Sequence, residues 1–419
     1  MREQASLPDL RIGRRHLIGS VGLAAISAAI GATIPFGRFM PAGYVPIALA
    51  QDQGLDLPGK SPELAVLGDK PLVAETPAHL LDDDVTPTAI HFIRNNGLIP
   101  DPPTDPDAWS LTVDGEVAQP LTLTLAELKD RFENVTLQLV LECGGNGRSQ
   151  FVPAAKGNPW TTGGVGCARW TGVRLKDVLE TAQPTPAAIY TAHYGADPHL
   201  SGDPEKQALS RGVRLEKALE PHTLLAFAIN GEPLPAVHGA PLRLVVPGWA
   251  GSASQKWLTR IQLRDREHDG QGMKGTSYRV PVAPIVPGSE SDGAGFQILE
   301  SMPVKSVITA PADGTRPPAG TRELAVRGHA WAGDLTVREV FVSLDFGQSW
   351  QAADVAAPVN PYAWQRWSTT LALPSAGYFE IWARAVDGSG VSQPFAAPNW
   401  NPGGYGGNAY HRIAVLVDA

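Results

Sequence analysis

The stretch LECGGNGRSQ, residues 141–150, carries an apolar run into a cysteine, crowds three glycines behind it and then places Arg148. A thiol at a strand end, with glycines that let the backbone approach closely, suits a soft metal or a reactive electrophile, because the thiolate is both the nucleophile and the metal ligand. Cys167 is the only other cysteine. Two cysteines in an exported chain often pair, so a Cys143–Cys167 disulfide stands beside the metal reading at this point. Two further segments hold groups that bind anions. HFIRNNGLIPDPP (91–103) contributes Arg94 and Asn96, and GEPLPAVHGAPLRLVVPGWAGSASQKWLTRIQL (231–263) contributes His238, Arg243 and Lys256 on a strand, a loop and a strand. Guanidinium forks match oxyanions through charge-assisted, bidentate hydrogen bonds. Taken singly, each of these is an ordinary surface or packing residue.

Other chemistries find no support. GQS (347–349) and GSASQ (251–255) are not nucleophile elbows, since no strand, sharp turn and helix in the required order surround a G-x-S-x-G. The chain has no CxxC, HExxH, P-loop or GxGxxG.

The elements that must position these residues are β-rich. With 419 residues, 44 Gly and 38 Pro, the chain is long enough for two domains with many turns. WSLTVDGEVAQPLTLTLAELKDRF, from Trp109, alternates, turns at Asp114-Gly115 and becomes helical from Leu125 to Phe132. Residues 51 to about 75 show no periodicity and read as an arm or linker, and VPVAPIVPGSESDGAG (280–295) reads as a domain connection. Beyond it, MPVKSVITAP, RELAVRGHAWAG, VREVFVSLDFGQSW, QRWSTTLALP and GYFEIWARAVDGSG are short alternating strands spaced as in an immunoglobulin-like β-sandwich.

The first fifty residues carry Arg2, Arg11, Arg14, Arg15 and Arg38 against Glu3 and Asp9, so removing them takes the net charge from −8 to about −11. That balance speaks against nucleic acid as a partner. RIGRRHLIGSVGLAAISAAIGATIPFG resembles a twin-arginine export signal: paired arginines, a moderately apolar run, and small residues at Ala48 and Ala50. The run is short of the roughly 20 strongly apolar residues a span needs, which argues against a permanent membrane anchor. The resemblance implies cleavage near Ala50 and export, already folded, to the periplasm.

From about residue 85 to the C-terminus the chain resembles the sulfite oxidase family of molybdopterin enzymes. Five motifs in order carry the likeness: FIRNNGLIP, LECGGNGRSQ, WTTGGVGCARWTGVRLKDVL, HGAPLRLVVPGW…KWL and WNPGGYGGNAYHR. The expected fold is α+β: a signal over 1–50, an arm over 51–84, a molybdopterin-binding catalytic domain over 85–280 and an immunoglobulin-like dimerisation domain over 296–419. The resemblance also implies Mo-molybdopterin as cofactor, with Cys143 its one protein ligand to the metal. It places Arg94 and Arg148 around an oxyanion, and gives Asn96, Asp197, His238, Arg243 and Lys256 to the pterin and its phosphate; Asp197 also reads as a turn residue before Pro198.

The implied reaction is oxidation of sulfite to sulfate by oxygen-atom transfer. No haem motif is found in this chain, so electrons are expected to pass to a c-type cytochrome. A homodimer or heteromer through the sandwich is expected.

Two features depart from the family pattern. GMKGTSYRVP puts Met273 where a tyrosine often precedes Lys-Gly, leaving Tyr278 as the nominated active-site tyrosine, and WNPGG puts Gly403 where a third substrate arginine is expected. The departures bear on the substrate more than on the reaction type, and sulfite dehydrogenase is the first expectation. A sulfane dehydrogenase acting on protein-bound sulfur is the second, and a cofactor-free exported binding protein closed by the disulfide is the third.

Overall fold

The computed structural model describes residues 54–418; the expected export signal lies outside the described residues. A five-stranded sheet forms the centre of the first half. Its main path runs Glu232–Pro233, Leu224–Ile229, Val165–Arg174 and Asn134–Glu142, with Arg243–Val245 paired to Leu224–Ile229. A four-stranded sheet, Leu121–Thr124, Ser110–Gly115, Leu258–Arg264 and Tyr190–Gly195, packs beside it. Leu111, Val113, Leu123, Val173, Leu225, Leu244 and Ile261 fill the shared core. Each such side chain contributes on the order of 1.5–3 kcal/mol by leaving water.

The helix expected from Leu125 spans Leu125–Arg131. It starts there because Thr124 and Glu127 form a reciprocal capping box, and it buries Leu125 and Leu128 against the core while Lys129 and Arg131 close its last turn. It ends where Phe132 turns extended.

The segment expected as an aperiodic arm differs from that reading. Ala65–Asp69 and Leu72–Glu75 form an antiparallel hairpin, and Leu72–Glu75 pairs in turn with Ile93–Arg94. Short strands of four or five residues leave too few alternations to register as a period. Across the 280–295 segment, Arg279–Pro281 pairs with Phe296–Ile298, closing the residues between them into a loop.

The second half is two four-stranded antiparallel sheets. One runs Lys305–Ala310, Glu323–Trp331, Gln365–Ala372, Asp354–Val355, and the other Gln351–Ala352, Val337–Ser343, Gly377–Asp387, His411–Val417. Val326, Val340, Trp367, Leu371, Ile381 and Ile413 pack between them. Among the described residues, no helix is long and apolar enough to cross a membrane.

Candidate functional site

Cys143 follows directly on the Asn134–Glu142 strand, 6% exposed. The loop behind it is fixed by its own backbone and by Asn146. The Cys143 amide donates to Gly164, the Asn146 amide donates to Cys143, and the Asn146 side chain accepts from the Gly164 amide while donating to Glu142. The crowded glycines have a concrete cause at Gly145, where a Cβ would lie 2.3 Å from Arg148 Nη2. The arginine folds back over the loop that precedes it.

The disulfide does not form. Both cysteines are free thiols. Val140 opposes Cys167 in the ladder, which sets Cys167 on the Val140 face with Val165 and Trp364, whereas Cys143 lies with Leu139, Leu141 and Trp170 on the opposite face. Burial pushes the Cys167 thiol up to about 12, as expected of an inert packed residue.

Around Cys143 lies a cavity open to solvent at its mouth. Eight of the nine expected residues line it: Arg94, Asn96, Cys143, Asp197, His238, Arg243, Lys256 and Tyr278. Arg148 is the exception. Its Nε donates to the Gly403 carbonyl at 2.7 Å and its Nη1 to the Asn158 carbonyl at 2.8 Å, and it meets the other residues only across the ring of Tyr405.

Buried cationic groups concentrate on and beside this lining. Lys256 Nζ donates to Asn95 Oδ1 and the Val237 carbonyl, both at 2.6 Å. Arg243 Nη1 donates to the His238 carbonyl at 2.8 Å, and its guanidinium lies over Trp170. Lys60, from the arm, donates to the carbonyls of Thr88 and His91 at 2.6 Å and lies 3.0 Å from His238 Nε2.

Burial drives every one of these groups toward losing its charge. Lys60 is lowered to about 7 and Arg243 to about 9, both by desolvation, and Lys256 falls well below its ordinary value through desolvation and the nearby Arg243 charge. His91 is lowered to about 3, first by burial and then by Lys60. Asp197 is the acid lining this cavity, and desolvation raises it to about 6. Buried charge is tolerated when paired, so the cluster is built to receive an anion.

Unpartnered polar atoms on the lining call for a polar ligand. His91 Nε2, Asn95 Nδ2, Ser252 Oγ and Gln255 Oε1 are buried without a hydrogen-bond partner. Such atoms cost about 1–3 kcal/mol each unless something meets them. No cluster of three or more His, Cys, Asp or Glu among the described residues could cage a metal. Cys143 thus offers a metal a single soft protein donor.

The family models match in this arrangement. The oxidoreductase molybdopterin binding domain matches residues 97–272, and the Mo-co oxidoreductase dimerisation domain matches residues 297–418. Sulfite oxidase of Gallus gallus is 36% identical over 375 residues, covering 87% of this chain and 80% of that protein. The chain belongs to the sulfite oxidase family. Mitochondrial sulfite oxidase of Homo sapiens is likewise 36% identical, over 386 residues, covering 89% of this chain and 69% of that protein. Among solved structures, the sulfane dehydrogenase SoxCD from Paracoccus pantotrophus superposes with a TM-score of 0.69 at 25% identity, covering 93% of this chain and 98% of that one.

As a member of the sulfite oxidase family the protein is a molybdopterin-dependent oxidoreductase, and its cofactor is the molybdenum cofactor. The residues present fit that group. One thiol faces the cavity, and buried cations and unpartnered polar atoms share its lining.

Five lining or adjoining residues carried little readable signal. Lys60 stands in the aperiodic arm; Asn95 is visible only as one of two asparagines beside Arg94, and His91, Ser252 and Gln255 flank or fall inside motifs with no feature of their own. Arg211 and Tyr405 also adjoin the site, through the ring of Tyr278.

Proposed function

We propose that the protein oxidises sulfite to sulfate in the periplasm and hands its electrons to a separate c-type cytochrome. The observation that carries the reading is the pairing, on one cavity lining, of a single thiol with buried cationic groups and unpartnered polar atoms. When bound, the molybdenum cofactor supplies two-electron oxygen-atom transfer to sulfur.

The chain's own residues bind and orient. Cys143 offers a soft thiolate to the metal, and a soft, electron-rich donor tunes a redox metal as axial ligands do. Lys256, Arg243 and His238 hold the phosphate and pterin, where charge and donors act together. Asn96 and Asp197 add hydrogen bonds along the cavity. Arg94 meets the oxyanion with a planar fork of donors, and Tyr278 presents its hydroxyl beside Asn96. Arg148 shapes the Cys143 loop from behind and adds positive potential. None of these attacks covalently; they stabilise charge at fixed positions.

Export by the twin-arginine route suits a chain that must take up a bulky cofactor before leaving the cytoplasm. Pairing of two chains, or with a partner, through the sandwich is in keeping with the match to a dimerisation domain.

A second reading, a sulfane dehydrogenase acting on protein-bound sulfur, is favoured by the likeness to SoxCD. It is also favoured by a broad cleft beside Gly403 and Tyr405 that runs along Lys156, Ser289 and Glu290. Molybdenum and pterin content of the purified protein, followed by turnover with free sulfite and oxidised cytochrome c, tests both. A loaded protein that oxidises sulfite supports the first reading; a loaded protein inert to sulfite leaves the second; a protein without molybdenum removes both.

A further inference from the structure

Four side chains form a stack beside the Cys143 loop. The Arg211 guanidinium carbon lies 4.7 Å from the centre of the Tyr278 ring. Tyr278 stacks on Tyr405 at 4.9 Å with 28° between the planes, and the Arg148 guanidinium lies 5.4 Å from the centre of Tyr405. The order is cation, phenol, phenol, cation. Both rings abut the loop: a Cβ on Gly144 would stand 3.6 Å from Tyr278 Cδ1 and 3.7 Å from Tyr405 Cδ1.

Three details show that the stack is constructed. Tyr278 has φ +50°, a left-handed conformation that persists for an L side chain only where the surroundings over-determine it. Arg211 is 1% exposed, and its Nη1 donates to the Gly272 carbonyl at 2.8 Å while its Nε has no partner. The electron-rich face of Tyr278 is therefore a principal counterpart to a buried positive charge. Tyr405, finally, is accommodated because residue 403 has no side chain: a Cβ there would lie 2.2 Å from Tyr405 Cε2. The phenol takes the space into which any larger residue at 403 would project.

We propose that Arg211 and Tyr405 are positioning residues for Tyr278, clamping its ring so that its hydroxyl stays on the cavity side, 3.2 Å from Asn96 Oδ1. There it meets an oxyanion held next to Cys143. This rests on the reading of the cavity as a molybdenum site that takes sulfite, and adds which residues set the anion's fit. Arg211 acts from beneath the ring and touches neither anion nor cofactor.

Molybdenum per chain and sulfite turnover of the parent protein are measured first; their absence removes the underlying reading and is recognised as such. Sulfate dissociation constants by calorimetry, and sulfite kinetics per bound molybdenum, then follow for Arg211→Met, Arg211→Lys, Tyr405→Leu, Tyr278→Phe and the double variant Arg211→Met/Tyr278→Phe. Losing a desolvated cation–π contact corresponds to about 5- to 30-fold in a binding constant. Arg211→Met and Tyr405→Leu should weaken sulfate binding and raise the sulfite KM by that factor, with kcat changed less than about threefold. Arg211→Lys should recover most of the loss.

In the Tyr278→Phe background, Arg211→Met should add less than about twofold, because it acts through the hydroxyl that is already gone. Unchanged sulfate affinity in both Arg211→Met and Tyr405→Leu overturns the proposal, and so does an Arg211→Met effect of full size in the Tyr278→Phe background. Should Arg211→Met not accumulate as folded protein, Tyr405→Leu decides by the same cycle.

Discussion

Glu142 Oε1 lies 2.5 Å from Lys305 Nζ, joining the residue before the site cysteine to the first strand of the sandwich. Both side chains are buried and make further bonds: Lys305 also donates to the Asn146 carbonyl, and Trp331 Nε1 donates to Glu142 Oε2. The Cys143 loop is thus pinned by the other half of the molecule.

Removing one partner of such a pair strands the other charge in the interior, at a cost of about 3–5 kcal/mol. Lys305→Met should therefore lower the unfolding free energy by that order. It should also reduce molybdenum per chain, because Asn146 and Cys143 lose their fixed positions. Denaturant melts together with metal analysis check both; a variant with parental stability and full metal content refutes the coupling.

Cys143→Ser should abolish sulfite turnover by replacing a soft thiolate with a hard, poorly ionised hydroxyl. Cys167→Ser, on the other face of the ladder, should keep measurable activity. Parental turnover in Cys143→Ser, measured per chain, would sink the thiolate assignment.

The two arginines should behave differently. Arg94 lines the cavity, so Arg94→Gln removes a charged hydrogen bond to a desolvated anion and should raise the sulfite KM about 10- to 150-fold. Arg148 already donates to the carbonyls of Gly403 and Asn158, so Arg148→Gln should cost stability and metal occupancy first. Kinetics per bound molybdenum separate the two cases, and equal rises in KM would place Arg148 against the substrate after all.

Glu75 provides a pH signature. It accepts from the Thr161 amide and hydroxyl, yet desolvation lifts its carboxyl from 4.5 to about 7. A folded value above the unfolded one means that the stabilising contribution is complete below the unfolded value and is lost as pH rises through about 7. Relative to Glu75→Gln, the parent should thus lose up to about 3 kcal/mol between pH 4 and 8. Urea melts of both proteins across that range give the difference, and parallel curves would contradict it.

How much of this was readable in the residues depends on the kind of signal. Alternation along Ser110–Gly115, Glu323–Trp331 and Gly377–Asp387 shows as strands because one face of each is buried. The lining residues Arg94, Cys143, His238, Arg243 and Lys256 stand in motifs whose order is itself informative. Lys60 is legible only once its segment is brought against His91 and His238, since a single lysine among prolines and glycines has no pattern. Arg211 and Tyr405 act through a ring from another part of the chain, a relation that spacing does not encode. Gly403 is the instructive case: it reads as a missing arginine, and the structure shows a phenol folded into the same space.

The site draws on residues from Lys60 through Lys305 to Tyr405. On a ribosome, that span means the pocket has no anchor for its cysteine loop until Lys305 has emerged and no second phenol until Tyr405 has. Loading of the cofactor is consequently a late event in the protein's life, and a chain truncated anywhere before residue 405 should be unable to close around it.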